Sequence, residues 1–205
     1  FCTVKRHYNF GMSETEISTP NEFSLSGQLL IAMPNMLDPS FAGSVVYLCE
    51  HSGKGAMGLV INRPTDLAIE GLLEKINVNI EGFLPAHFPV MMGGPVAGER
   101  GFVLHTEPLN WNSSLKVNDE ISLTTSRDIL EAVARGEAPG KWLITLGYAG
   151  WGEGQLEEEL AQNAWLTVPA NHEILFDTPL EERFASAYAM LGIDPALMSG
   201  AAGHA

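Results

Sequence analysis

Residues 44–62, SVVYLCEHSGKGAMGLVIN, hold two apolar runs on either side of a glycine turn, and their pairing decides the fold. Residues 44–49 are rich in β-branched and aromatic side chains and apolar at successive positions, the composition of a strand covered on both faces. Residues 57–62 repeat that composition, and Gly53-Lys54-Gly55 supplies a short connection, so the two runs read as an antiparallel hairpin. Upstream, residues 27–33 form another apolar run stopped by Pro34, after which Asn35, Asp38 and Pro39 carry turn chemistry.

Downstream, short strands alternate with amphipathic helices. Asp66 is placed to cap a helix that puts Ile69, Leu72, Leu73 and Ile76 on one face. Residues 90–92 run into Gly93-Gly94-Pro95, and residues 101–105 and 121–124 read as strands. Thr125 with Asp128 resembles a capping box for a helix that buries Ile129, Leu130 and Val133 and stops at Gly136. Residues 141–147 (KWLITLG) read as a buried strand, 147–154 (GYAGWGEG) as a glycine loop, 156–166 as a helix and 173–176 as a last short strand. Thr178-Pro179-Leu180-Glu181 offers an N-cap, a proline at the first helical position and a capping glutamate for a C-terminal helix striped by Phe184, Tyr188 and Leu191.

The chain has 205 residues, 25 of them acidic and 11 basic, for a formal net charge of −14. That length suits one domain, and no repeat or linker divides it; residues 25–205 read as the domain and 1–24 as a disordered leader and acidic arm. The segment before Met12 has Lys5 and Arg6 but no apolar core, so it is expected to be a lead-in with the natural start near Met12. The acidity argues against nucleic acid as the principal partner, and no basic segment offers an anionic membrane a hold. No apolar window reaches the ~18 residues of a membrane span. Cys2 and Cys49, without regular spacing, suit a reducing cytoplasm.

Several motifs carry candidate chemistry. Gly53-Lys54-Gly55-Ala56-Met57-Gly58 fits G-x-G-x-x-G, but a strand rather than a helix follows it, so a glycine-permitted hairpin is the better account. Cys49 and His51, two residues apart on one strand, would share a face, where an imidazole could activate a thiolate. A buried cysteine beside a loop-facing histidine is the simpler reading. His105 ends another strand and would meet His51 if those strand ends converge. Asn62 and Arg63 close the second strand of the hairpin, and the guanidinium could clamp an anion or pair with a nearby carboxylate. Trp151 and Gln155 lie in and after the glycine loop, whose helix start is already crowded by Glu153 and Glu157–Glu159. No spacing supplies a metal site, a nucleophile elbow or a phosphate loop, so neither metal nor cofactor is expected.

These segments together resemble the YqgE/AlgH family. The resemblance is carried by Ala32-Met33-Pro34, Asp38-Pro39-x-Phe41, the hairpin through Asn62-Arg63-Pro64, and Gly93-Gly94-Pro95. It continues through Arg100-Gly101-Phe102-x-Leu104-His105, residues 124–128 (TTSRD), Leu146-Gly147-Tyr148-Ala149-x-Trp151, Gly154–Glu157, Asn163–Leu166 and the ending Ala202-Gly203-His204-Ala205. It implies a bacterial cytoplasmic α+β protein with a largely antiparallel, curled, partly barrel-like sheet flanked by helices. One branch of the family is labelled a regulator of transcription, but no helix-turn-helix or basic stripe is present here. The expected function is a regulatory domain binding a protein or small molecule without catalysis. Its proposed site gathers Asn62, Arg63, His105, Trp151 and Gln155 with Cys49 and His51. A transcriptional regulator acting on DNA directly or indirectly, and a Cys49-dependent enzyme or redox sensor, are the alternatives.

Overall fold

In the computed structural model, which describes residues 24–82, 84, 88–107, 111–138 and 140–192, the deciding hairpin forms as the apolar runs require. Strand β2 (Val45–Ser52) pairs antiparallel with β3 (Gly55–Val60), and β1 (Gln28–Ala32) pairs antiparallel with the other edge of β2. Among the described residues ten strands form one curled sheet. Its remaining strands are β4 (Pro64–Ala68), β5 (Pro89–Met92), β6 (Val96–His105), β7 (Ser114–Lys116), β8 (Ser122–Thr124), β9 (Trp142–Gly152) and β10 (Trp165–Pro169). The order is β10-β1-β2-β3-β9-β6-β8-β7, with β4 and β5 attached beside β9; the pairings are antiparallel except β5 with β9. The helices are α1 (Ile69–Lys75), α2 (Arg127–Ala134), α3 (Gln155–Ala161) and α4 (Arg183–Met190). The leader and acidic arm through residue 23, with Cys2, and the ending at 202–205 lie outside the described residues.

Burial on both faces explains why the strands carry continuous apolar runs. On one face Leu29, Ile31, Tyr47, Met57, Phe102 and Leu104 pack with Leu175, Ala187 and Tyr188 from the C-terminal segment. The opposite face is covered in two halves. One holds Leu30, Val46, Ala56, Trp151 and Trp165 under Leu156 of α3 and Phe41; the other holds Val103 and Ile144 under α1 and α2.

Strand β9 reverses its side-chain parity at one residue. Leu146 packs with the α1/α2 cluster and Tyr148, two positions on, with the opposite cluster. Between them Gly147 takes φ +72, a conformation that side-chain-bearing residues avoid, and a Cβ there would lie 2.6 Å from the Gly94 carbonyl oxygen. At this corner one edge of β9 passes from β5 (Leu146 opposite Met92) to β3 (Ala149 opposite Gly58). Gly93 closes the junction, its N–H donating to Leu146 O and its own carbonyl accepting from Val60 N–H, both 2.8 Å.

Several local expectations are corrected. The stretch 147–152 continues β9 instead of forming a loop, because both of its edges find partners in β3 and β6. The helix expected at 156–166 stops at Ala161. Asn163 adopts φ 55, and β10 then takes the edge of β1 over five residue pairs. Asp66 lies in β4; α1 begins under Ala68, and the Ile69 N–H donates to Phe88 O at 2.9 Å instead of to a side-chain cap. Ser126, not Thr125, is the N-cap residue of α2. Residues 173–177 form a π-helical turn, not a strand, with Asn171 Oδ1 accepting from Ile174 N–H at 2.9 Å. Helix α4 starts at Arg183, because the Thr178 hydroxyl donates back to Glu173 O and so serves the turn before it.

Candidate functional site

The glutamate run 157–159 opens the site. Glu159 turns inward beneath α3 and accepts three hydrogen bonds. The Trp151 and Trp165 indole N–H groups donate to Oε2 at 2.9 and 2.8 Å, and the Gln155 side-chain amide donates to Oε1 at 2.9 Å. Gln155 Oε1 in turn accepts from Gly152 N–H at 3.1 Å, which ties the start of α3 to the end of β9. Phe41 stacks on Trp151 with ring centroids 6.2 Å apart and meets Trp165 edge-on at 5.5 Å. Donors from two strands and one helix thus fix a single carboxylate over an aromatic floor.

Against α3 stands the loop 35–39, and between them lies a cleft of about 820 Å³. Its polar lining consists of the carboxylates of Asp38, Glu158 and Glu159 and the amides of Asn35, Gln155, Gln162 and Asn163. No lysine, arginine or histidine is among the lining residues. Met36, Leu37, Pro39 and Ala164 supply its apolar part.

Asn62 and Arg63 hold the loop that forms this outer wall. Asn62 Oδ1 accepts from Val45 N–H and its Nδ2 donates to Gly43 O, both at 2.9 Å. The Arg63 guanidinium donates to Pro39 O at 3.0 Å, Ser40 O at 2.7 Å and Ala42 O. Partial burial lowers its pKa from the usual arginine value. These bonds aim Arg63 at carbonyls of its own chain and away from an incoming anion.

His51 lies on the far side of α3. Its Nδ1 accepts from Leu25 N–H at 3.0 Å, which leaves the proton on Nε2, and that N–H donates to Glu157 Oε1 at 2.8 Å. Both ring nitrogens are occupied in strapping residue 25 and α3 to the sheet. Cys49 does not share its face. A bulge between Leu48 and Glu50 reverses the alternation of β2, so Cys49 packs in the cluster of Met57 while His51 sits opposite Ala56 in the other. The thiol is 2% exposed, lies 3.7 Å from Tyr47 O, and is pushed up strongly in pKa by burial and then by Glu50. The shared face expected for Cys49 and His51 is therefore absent, and the thiol is buried as the simpler reading has it.

His105 is likewise apart from the cleft, fully buried between β6 and β8. Nδ1–H donates to Glu107 O at 3.0 Å, so Nε2 accepts from the Thr124 hydroxyl at 2.8 Å, and Thr124 accepts from the Ser114 hydroxyl at 2.7 Å. Desolvation lowers its pKa below the ordinary histidine value. Of the residues singled out in the sequence, the structure brings together Trp151 and Gln155, with Asn62 and Arg63 supporting the opposite wall. Among the described residues no group of three or more His, Cys, Asp and Glu side chains is arranged to hold a metal ion, and no helix is long and apolar enough to cross a membrane.

Such a molecule is an α+β protein with a curled, largely antiparallel sheet, helices on both faces and one polar cleft along a helix. A sequence model of the AlgH-like family (DUF179) matches residues 29–196. A UPF0301 protein of Burkholderia vietnamiensis is 55% identical over 192 residues, covering 92% of this chain and all of the relative, and one of Burkholderia multivorans is equally similar. The solution structure of the AlgH protein from Pseudomonas aeruginosa superposes with a TM-score of 0.73 at 49% identity, covering 93% of this chain and all of that one. The crystal structure of a Corynebacterium diphtheriae protein, DIP2367, shares the fold at a TM-score of 0.69 and 18% identity. The chain belongs to the AlgH-like, UPF0301 family.

Proposed function

We propose that this protein is a non-catalytic regulatory domain of the cytoplasm that binds a protein or small molecule through the cleft between α3 and the loop 35–39. The observation that carries this reading is the fixed floor. Two indoles from β9 and β10 and an amide and a carboxylate from α3 are locked together beneath an open, hydrogen-bonding surface. Such preorganisation suits recognition, because little side-chain freedom remains to be lost on binding. The wall residues are amides and carboxylates, without an activated nucleophile, and the buried Cys49 thiol is held in its protonated form. Regulation on this reading runs through a protein or small ligand and not through contact with phosphate backbone, which the net charge of −14 repels.

The Trp151 and Trp165 indole N–H resonances make the test direct. In a screen of metabolite fragments and short peptides, binders should shift both resonances together with the backbone amides of residues 155–164. Hits that instead map to Cys49 or His105, or a screen with none, would remove the cleft from consideration.

A further inference from the structure

We propose that the cleft receives a lysine or arginine side chain from an extended segment of a partner protein, with a neighbouring apolar residue of that segment seated on Leu37 and Met36. The proposal rests on the cleft reading above and assigns the chemistry of the occupant. Asp38, Glu158 and Glu159 line the cavity, with no cation among the lining residues. Glu159 keeps its charge but has its oxygens engaged by the indoles and Gln155, so Glu158 and Asp38 are the carboxylates a positive side chain would touch. Of the lining amides, Gln155 is committed to Gly152 and Glu159, and those of Asn35, Gln162 and Asn163 offer carbonyl oxygens to its N–H groups and donors to an extended backbone. The wall from Glu158 to Asn163 is the C-terminal half of α3 and its cap, where the partial charge of the helix is negative and again prefers a cation. Arg63 directs its N–H groups to the carbonyls of residues 39, 40 and 42 and its charge to Asp38 beside them, so it balances the loop wall and leaves the helix wall, with Glu158 and Glu159, to a visiting cation.

The apolar half of the proposal rests on Leu37. It is 94% exposed at the lip of the cavity, the most exposed large hydrophobic side chain among the described residues. Met36 beside it is half-buried against the aromatic cluster, so the two form a ledge continuous with the core. A free amine would leave this ledge wet, whereas a peptide pairing a basic with an apolar residue covers both features. The cavity of about 820 Å³ is near the upper end of the ~300–1,000 Å³ of ligand sites, room for an extended segment more than for one small ion.

The experiment selects random 12-residue peptides displayed on phage against the full chain, then measures the winners as synthetic fluorescent peptides. The expected consensus has Arg or Lys next to an apolar residue. Its affinity should fall at least about ten-fold in Glu158→Lys and in Leu37→Ser, and be unchanged in Glu74→Gln on α1. Unaltered Trp151 and Trp165 indole resonances verify that each variant keeps its fold. Acetylating the peptide lysine, or replacing arginine by citrulline, should weaken binding similarly, and spermidine should not compete at equal concentration. An acidic or uncharged consensus still lost in Leu37→Ser would overturn the cation assignment while keeping the cleft. Full competition by spermidine would overturn the peptide assignment. Peptides indifferent to both cleft variants, or no selected peptide, would overturn this proposal and leave the cleft reading to stand or fall on the fragment screen alone.

Discussion

Glu159 shows how one side chain acquires a role that only its ionised form can fill. A carboxylate accepts on both oxygens, and here Oε2 takes two indole N–H groups while Oε1 takes the Gln155 amide. In Glu159→Gln the new amide N–H₂ must face either the indoles or Gln155, so a donor meets a donor at one end. The expected cost is about 1–3 kcal/mol, read from the urea midpoint, with a change in tryptophan emission. An unchanged midpoint and spectrum would mean the carboxylate is not the organising group. His105 gives the second prediction at this scale. It is buried and neutral in the fold, and its folded pKa is depressed below 6.5 by desolvation. The unfolded chain therefore binds this proton first as pH falls. The stabilising contribution is complete above about pH 6.5 and is lost as the pH drops through the folded-state value, with a limiting slope of about 1.4 kcal/mol per pH unit. Stability of the wild type should decline on acidification by a component that His105→Gln lacks; parallel pH profiles for the two would refute it.

At the scale of elements, the corner of β9 is where the sheet is most tightly specified. Gly94 has φ +154, and a Cβ on it would sit 2.2 Å from the Tyr148 carbonyl carbon. Gly94→Ala must push apart the turn after β5 and the strand on which β3 and β6 both depend. A loss of at least about 3 kcal/mol is expected in chemical denaturation, against little effect for Gly98→Ala, where a Cβ meets nothing within 4 Å. Equal losses in the two variants would contradict the corner account. The same corner marks the limit of what the sequence disclosed. The β2–β3 hairpin was legible because two continuous apolar runs flank a glycine turn. The stretch 147–154 was not, since its glycines imitate a loop while serving a strand that changes partners, and partners distant in the chain leave no local trace. Parity failed at Cys49 for a related reason: a bulge is a property of the pair, so alternation counted along β2 alone places His51 on the wrong face. Trp151 and Gln155 stand out in the sequence as candidates, whereas Glu159 there reads only as a complement to the helix dipole, because the indoles that claim it arrive from β9 and β10.

Across the whole molecule, the charge of −14 acts in opposite directions on folding and on binding. The excess carboxylates repel one another more in the compact state than in the expanded chain, so screening favours the fold. At about 0.02 M salt the Debye length exceeds 20 Å, and at 0.5 M it falls to ~4 Å, short enough to silence all but contacting pairs. Ion pairs such as Lys116–Asp119 and Arg127–Glu131 lie at exposed positions and are worth little in either condition. The repulsion they leave unbalanced should therefore dominate, and Tm should rise by about 2–4 °C over that salt range. A cationic segment entering the cleft responds the other way, because the same screening weakens its attraction to Asp38, Glu158 and Glu159. Salt that stabilises the protein should thus loosen its complex with a basic peptide, in paired thermal-melt and polarisation titrations on one preparation. Salt effects of the same sign on both would show that net charge does not govern them, and would return the acidic surface to a solubilising role alone.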